Sequence, residues 1–287
     1  MRAAPAEDDA LSGYRLLTAR SPAPYAAHTM PRARRSAHAR YVPAGDDGIG
    51  RLELTRPEKL NATDDDSVDD LDRAATRAGR DARARAIVVS GRGRAFGTGI
   101  DLAALAGGRL GADWFERWDV ALAKIEAIPV ATVAAIQGHC LGGGLQVTLC
   151  CDLRIASEDA TFGLSAVRHG IVPGLATYRL PRLIGLGAAQ ELMLLGETWD
   201  AARAHGHGLL HRVVALDRLE ATAFELAGTL AANVRAATVA TKRLTLRSYD
   251  LPLGPFLRAY VRSQRACWND RETKQTLARY RAGRWGK

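Results

Sequence analysis

The period of the hydrophobic positions changes several times along this chain, and each change predicts an element. Gly50-Arg-Leu-Glu-Leu-Thr55 alternates apolar and polar residues, the pattern of a half-covered strand, and Pro57 stops it. A helix start follows from Asp64 to Asp72. Acids suit a first helical turn, so this charge run needs no functional reading. Ala86-Ile-Val-Val-Ser90 is a continuous apolar run of strand length, as burial on both faces requires. Trp114, Trp118, Ala121, Leu122 and Ile125 fall on one helical face that reads as core and ends at Pro129. A β-branched run over Pro129-Val-Ala-Thr-Val-Ala-Ala-Ile136 comes next, then a strand over Leu153-Arg-Ile-Ala156 and a helix from Gly187 to Leu195. Asp217 with Glu220 reads as a capping pair opening a helix with Leu219, Ala223, Leu226 and Leu230 on one face. The tail from Leu257 is helical and basic. Strand, glycine turn and helix thus recur from Gly50 to Leu149 without a tight repeat period, which predicts an α/β fold of stacked ββα turns finishing in helices.

Two glycine-rich turns join strands to helices. One is Gly91-Arg-Gly-Arg-Ala-Phe-Gly-Thr-Gly99, followed by Ile100 and Asp101; it lacks the spacing of a dinucleotide fingerprint and the Lys-Ser/Thr ending of a triphosphate loop. The other is Gly138-His-Cys-Leu-Gly-Gly-Gly-Leu-Gln146, after which a helical pattern begins at Leu145. Three glycines without side chains let backbone N–H groups approach a ligand, and the helix that follows turns its free N–H groups to the same spot. The expectation is a backbone anion hole.

Composition places limits on this picture. The chain has 287 residues with 47% hydrophobic and 25% charged content, so it is globular with a large core. Its formal charge of +9 suits an anionic partner such as a phosphorylated cofactor or nucleic acid, although the excess is spread out as arginine. Residues 1–40 are rich in Ala, Arg and Pro without a period and read as a disordered arm; Arg32, Arg34, Arg35 and Arg40 are its basic cluster. The four cysteines, at positions 140, 150, 151 and 267, form no C-x-x-C motif and no disulfide framework, so a reducing, cytoplasmic setting is expected. No apolar run reaches the length of a membrane span, and the N-terminus lacks an apolar signal core.

With both glycine turns in hand, the chain resembles the crotonase (enoyl-CoA hydratase/isomerase) family. The matching segments are Arg56-Pro-Glu-Lys-Leu-Asn-Ala62, Gly93-Arg-Ala-Phe-Gly-Thr-Gly-Ile-Asp-Leu102, the Gly138 to Gln146 turn, Cys151-Asp-Leu-Arg-Ile-Ala-Ser157, Phe162-Gly163, Gly170-Ile-Val-Pro-Gly174 and Arg179-Leu-Pro-Arg182. The resemblance implies a crotonase-type ββα spiral core over residues 41–228 and a C-terminal helical trimerisation region over 229–287. It implies trimers or dimers of trimers and an acyl-CoA or acyl-carrier thioester as substrate, with coenzyme A belonging to the substrate rather than acting as a separate cofactor. The backbone N–H groups of Ile100 and Gly143 would bind the thioester oxygen. Lys59 and Leu60 would lie at the nucleotide end of coenzyme A, and Asp101, Leu102 and Ala103 along the acyl and pantetheine path.

Hydratases of this family use two glutamates to hold water and pass protons. Here those positions are Gln146 and Ala166, and a third position, an aspartate in dienoyl isomerase and dehalogenase relatives, is Gly174. Gln cannot take a proton at neutral pH and Ala can neither donate nor accept one. Simple hydration is therefore disfavoured against decarboxylation, C–C bond cleavage or formation, and isomerisation. Candidates for a replacement proton carrier are His169, His139, Tyr178, and Asp113 or Glu116; Cys140 has no identifiable activating partner. His205, His207 and His211 have metal-like spacing, but no carboxylate or cysteine completes a site, so no metal is expected. The alternatives to an enzyme are a catalytically reduced CoA-binding or assembly subunit and, with less support from the glycine turns, an RNA-binding homologue.

Overall fold

The computed structural model describes residues 37–283. Most of the arm expected over residues 1–40, including Arg32, Arg34 and Arg35, lies outside the described residues. Residues 39 and 40 belong to the first strand, β1 (Ala39–Val42), where Arg40 pairs with Glu53 at 2.6 Å.

Strands alternate between two sheets. The larger sheet takes β1, β2 (Ile49–Leu54), β3 (Ala86–Gly91), β5 (Ala131–Ile136), β7 (Leu153–Ser157) and β10 (Arg212–Val214), in that spatial order. The smaller takes β4 (Ala95–Gly97), β6 (His139–Leu141), β8 (Thr161–Gly163) and β9 (Thr198–Asp200). Each turn of the chain lays one strand in each sheet: β3 then β4, β5 then β6, β7 then β8. Pairing within these runs is parallel, β10 joins β7 in parallel, and an antiparallel partner closes one end of each sheet, β1 on β2 and β9 on β8. This is the spiral of ββα turns expected from the sequence.

The apolar runs are buried on both faces, as their continuity predicted. In β3, Ile87 and Val89 face the main core while Ala86 and Val88 face the opposite layer; in β5, Ala134 and Ile136 face the core while Val133 and Ala135 face outward. The outer layer is closed by α8 (Leu219–Ala232), which sets Leu219, Ala223, Ala227 and Ala231 on the sheet. Small residues at four-residue spacing let helix and sheet approach closely. The boundary expected at 228/229 falls inside this helix. Asp217 does not cap it; Asp217 sits in the 3-10 turn Leu216–Arg218, and no side chain caps α8.

Four helices frame the site. The helix α1 (Asp65–Arg80) is capped by Asp64, whose carboxylate accepts from the Ser67 N–H at 3.0 Å and the Ser67 hydroxyl at 2.8 Å. After the short α2 (Leu102–Ala106), α3 (Trp114–Glu126) buries the predicted stripe, with Trp114 and Trp118 stacked 5.7 Å apart. The helix after the glycine triplet, α4 (Gly143–Leu149), begins within the triplet and not at Leu145. A Gly there has no side chain to collide with neighbouring strands, so helical geometry can start earlier than the apolar pattern does. Then come α5 (Ala176–Ile184), α6 (Leu186–Leu195), α7 (Ala201–Gly206) and, beyond α8, α9 (Arg235–Leu246), α10 (Leu253–Asn269) and α11 (Arg271–Arg281).

Candidate active site

The two glycine turns meet edge to edge. Gly97 and Gly144 touch so closely that a Cβ on Gly144 would stand 2.2 Å from the Gly97 carbonyl oxygen. Gly99, at φ +85°, lies against the triplet: its Cβ would stand 2.7 Å from the Gly143 nitrogen. Only glycine permits both the backbone contact and the left-handed conformation.

This contact brings together the turns that carry the Ile100 and Gly143 N–H groups. Thr63 forms a parallel bridge to the strand-like segment at Ile100, accepting from the Asp101 N–H at 2.8 Å and donating its own N–H to the Gly99 oxygen at 2.7 Å. Both bonds skip Ile100. Backbone groups alternate along an extended chain, so the Ile100 N–H faces away from Thr63. Gly143 opens α4, where first-turn N–H groups have no acceptor within the helix. Its carbonyl-bearing neighbours are held independently: the Gly142 N–H donates to Gly163 O at 2.8 Å and the Gln146 N–H donates to Gly142 O at 3.0 Å. Among the described residues neither the Ile100 nor the Gly143 N–H donates to a backbone acceptor outside its own helix or strand.

The Ile100 side is braced by polar groups. Asp101 caps α2, accepting from the Ala103 and Ala104 N–H groups at 3.1 Å each. Arg56 reaches Asp101 at 3.3 Å, Asp64 at 3.2 Å and the Ala62 carbonyl at 2.9 Å. Asn61 donates to the carbonyls of Arg92, Ala95 and Phe96 and accepts from the Arg56 N–H. Burial alone would raise the Asp64 pKa, but the Ser67 hydrogen bonds and Arg56 outweigh it and hold the carboxyl below its ordinary value.

The other side of the triplet is built from side chains. A Cβ on Gly143 would meet the Trp118 ring at 3.0 Å, so the indole walls the donor. The Trp118 Nε1–H donates to Gln146 Oε1 at 3.2 Å in a buried contact. An indole N–H can only donate, which fixes the amide oxygen toward Trp118 and turns the NH2 group away. Gly174, at φ +51°, closes this side: a Cβ there would stand 3.1 Å from Gln146 Oε1 and 3.4 and 3.8 Å from the two oxygens of Asp119.

Against this geometry, comparison with known proteins is decisive. The profile of the family described as Enoyl-CoA hydratase/isomerase matches residues 44–284. The chain belongs to the enoyl-CoA hydratase/isomerase family. A Rhizobium meliloti protein named "Probable enoyl-CoA hydratase" is 35% identical over 243 residues, covering 82% of this chain and 92% of that protein. The short-chain-enoyl-CoA hydratase of Clostridium acetobutylicum is 29% identical over 243 residues, covering 81% and 90%. The crystal structure of enoyl-CoA hydratase from Bacillus anthracis has 28% identity and a TM-score of 0.80, covering 86% of this chain and 97% of that one.

Within this family fold the sequence-derived candidates separate. Ile100, Gly143 and Gln146 come together. Leu60, in the left-handed region at φ 52°, accepts from the Thr98 N–H at 3.1 Å, so it is tied to the Ile100 turn; Lys59 beside it is exposed, as are Leu102 and Ala103. His169 is exposed at the end of the 3-10 turn Ala166–His169, and no contact joins it to Gln146 or the glycines. His139 is exposed with its ring 3.0 Å from the Thr161 hydroxyl. Tyr178 donates to Asp250 at 2.8 Å, and Asp113 pairs with Arg117 at 3.3 Å. Cys140 is fully buried, which pushes its thiol pKa up and makes it inert. His207 stacks on Trp199, and His211 accepts from the Arg154 N–H at 3.1 Å; both rings are in structural contacts.

Two side chains beside Gln146 were not legible as such in the sequence. Trp118 was assigned to the core, which it joins, but it also bonds Gln146. Asp119 was not singled out. Its available signal was weak: an acid at the margin of an apolar helical stripe, with Glu126 two turns further along the same face.

Proposed function

We propose that this protein acts on an acyl-CoA or acyl-carrier thioester, holding the thioester oxygen between the Ile100 and Gly143 N–H groups while negative charge develops on it. The observation that carries this reading is the Gly99–Gly143 contact, which joins the turns carrying the two backbone donors. Donors placed in advance where an oxyanion forms contribute about 3–4 kcal/mol each to the transition state. Relatives named enoyl-CoA hydratase support a CoA thioester as the substrate class. Exposed Lys59 supports contact with the nucleotide phosphates, and exposed Leu102 and Ala103 support the pantetheine path.

The reaction is not simple hydration. Gln146 spends its oxygen on Trp118 and offers only an NH2 donor, and Ala166 offers nothing. Decarboxylation and C–C cleavage form an enolate by breaking a C–C bond, with no carboxylate pair needed to activate water, and they suit such a site better than water addition. The exposed apolar residues of α10, among them Leu253, Leu257, Tyr260 and Trp268, support self-association as a trimer or hexamer.

The test is a mass-spectrometric screen of acyl-CoA and malonyl-type thioesters beside a crotonyl-CoA absorbance assay. Turnover of a thioester with slow loss of the crotonyl absorbance is expected. Brisk hydration of crotonyl-CoA overturns the non-hydratase assignment. Micromolar CoA binding without turnover leaves a binding subunit, and salt-sensitive RNA retention without CoA affinity overturns the thioester reading altogether.

A further inference from the structure

The site lacks both family glutamates, yet a carboxylate is present in it. Asp119 projects from α3, one residue after Trp118, to the point over Gly174 where Gln146 also ends. Its Oδ1 is buried and has no hydrogen-bond partner among the described residues. A buried carboxylate oxygen without a donor is costly and rare in a structural role, where such groups are satisfied.

The surroundings explain why the oxygen stays unpaired. Arg179 on α5 is the nearby cation, but it is committed to Glu126, meeting its two oxygens at 2.9 and 3.0 Å. Two acids thus face one guanidinium, and the bidentate pair is the Glu126 one. Desolvation raises the Asp119 pKa; the attraction of Arg179 and the Leu175 N–H oppose the rise without cancelling it. A carboxyl group in this condition exchanges its proton closer to neutral pH than a solvated aspartate does. The other candidate proton carriers are exposed or engaged elsewhere.

We infer that Asp119 is the proton-carrying acid of this site, delivering a proton to the α-carbon of the thioester enolate held by Ile100 and Gly143. In this step the enolate π pair forms the new Cα–H bond, the Asp119 O–H bond breaks, the thioester carbonyl re-forms and Asp119 is left as a carboxylate. Water then restores its proton. The Trp118–Gln146 bond places the amide NH2 beside this path, where it orients the acyl group. Gly174 borders the arrangement: a Cβ there would crowd Gln146 Oε1 at 3.1 Å while standing in ordinary contact with Asp119, which reaches this point from a different helix. The assignment rests on the thioester reading.

Run in reverse, the step has the Asp119 carboxylate take the α-proton from a bound thioester, so the experiment is α-deuteration of acetyl-, butyryl- and phenylacetyl-CoA in D2O, read by mass shift, with binding of the same thioesters measured by calorimetry. The wild-type protein is expected to deuterate at least one of them. Asp119→Asn should lower that rate by about 100-fold or more at unchanged affinity, the usual scale for losing a general acid–base. It should also remove the corresponding limb of the pH–rate profile, and Asp119→Glu should recover part of the rate. Exchange retained within about threefold in Asp119→Asn overturns the role, with the scale of a general acid–base as the yardstick. So does a wild-type protein that binds a thioester without exchanging its α-proton. A wild-type protein that binds none of the three overturns the thioester reading and the Asp119 role with it.

Discussion

The two carboxylates flanking the glycine triplet are opposites. Asp64, on the Ile100 side, accepts two hydrogen bonds from Ser67 and an ion pair from Arg56, and its charged form is favoured. Asp119, on the Gln146 side, has an oxygen without a partner among the described residues and a cation already taken by Glu126, and its charged form is disfavoured. The difference separates two jobs. A group that braces backbone donors must be saturated so that it does not move, whereas a group that moves a proton must not be saturated in either state.

The largest effect is expected from breaking the backbone side itself. Gly144→Ala would drive a Cβ to 2.2 Å from the Gly97 carbonyl, a backbone atom that cannot rotate away. Overpacking of this kind costs about 3 kcal/mol. Thermal unfolding should show a fall of several degrees, and an unchanged midpoint would mean the two turns are not in rigid contact.

A smaller loss is expected at the brace. Asp64→Ala removes the cap of α1 and one partner of Arg56, costing about 1–2 kcal/mol by the usual worth of a cap. Denaturant titration would measure it, and a loss confined to unfolding stability, with thioester affinity intact, would show that Asp64 does not touch the ligand.

The smallest effect has the most informative sign. The folded-state pKa of Asp64 is lowered, so its contribution is fully present above the unfolded value of about 4 and is lost as pH falls through the folded value. The folded-state pKa of Asp119 is raised, so ionising it in the folded protein costs stability above that folded value, and the cost vanishes as pH falls below it toward the unfolded value. Asp119→Asn should therefore raise the unfolding midpoint at neutral pH, with the gain closing near pH 4, while Asp64→Ala lowers it with a deficit that persists there and narrows only at more acid pH. Parallel shifts across pH 3 to 8 would contradict the distinction between the two acids.

The elements were legible in the sequence wherever a single period persisted. Ala86-Ile-Val-Val-Ser90 gave no alternation because both faces of β3 are covered, one by the core and one by α8. Legibility failed at ends, where local signals compete. Asp217 resembles a cap, but a 3-10 turn uses those residues; Leu145 begins the apolar pattern, but α4 starts two residues earlier on glycines that carry no pattern at all. The expected 228/229 boundary falls inside α8, which packs on the core sheet from Leu219 to Ala231.

The donor side was determined by sequence because every residue carries an N–H and glycine spacing marks where such groups can be approached. Gly99, Gly142, Gly143 and Gly144 mark the expected anion hole in the sequence, and Gln146 and Ala166 mark where the sequence differs from the two glutamates expected of hydratase relatives. The tertiary structure alone decided what packs around Gln146. Trp118 reaches Gln146 across 28 positions, and Asp119 meets the space over Gly174 from a separate helix. Convergence of side chains from distant segments depends on how helices pack on the spiral, and no local period along the chain records it.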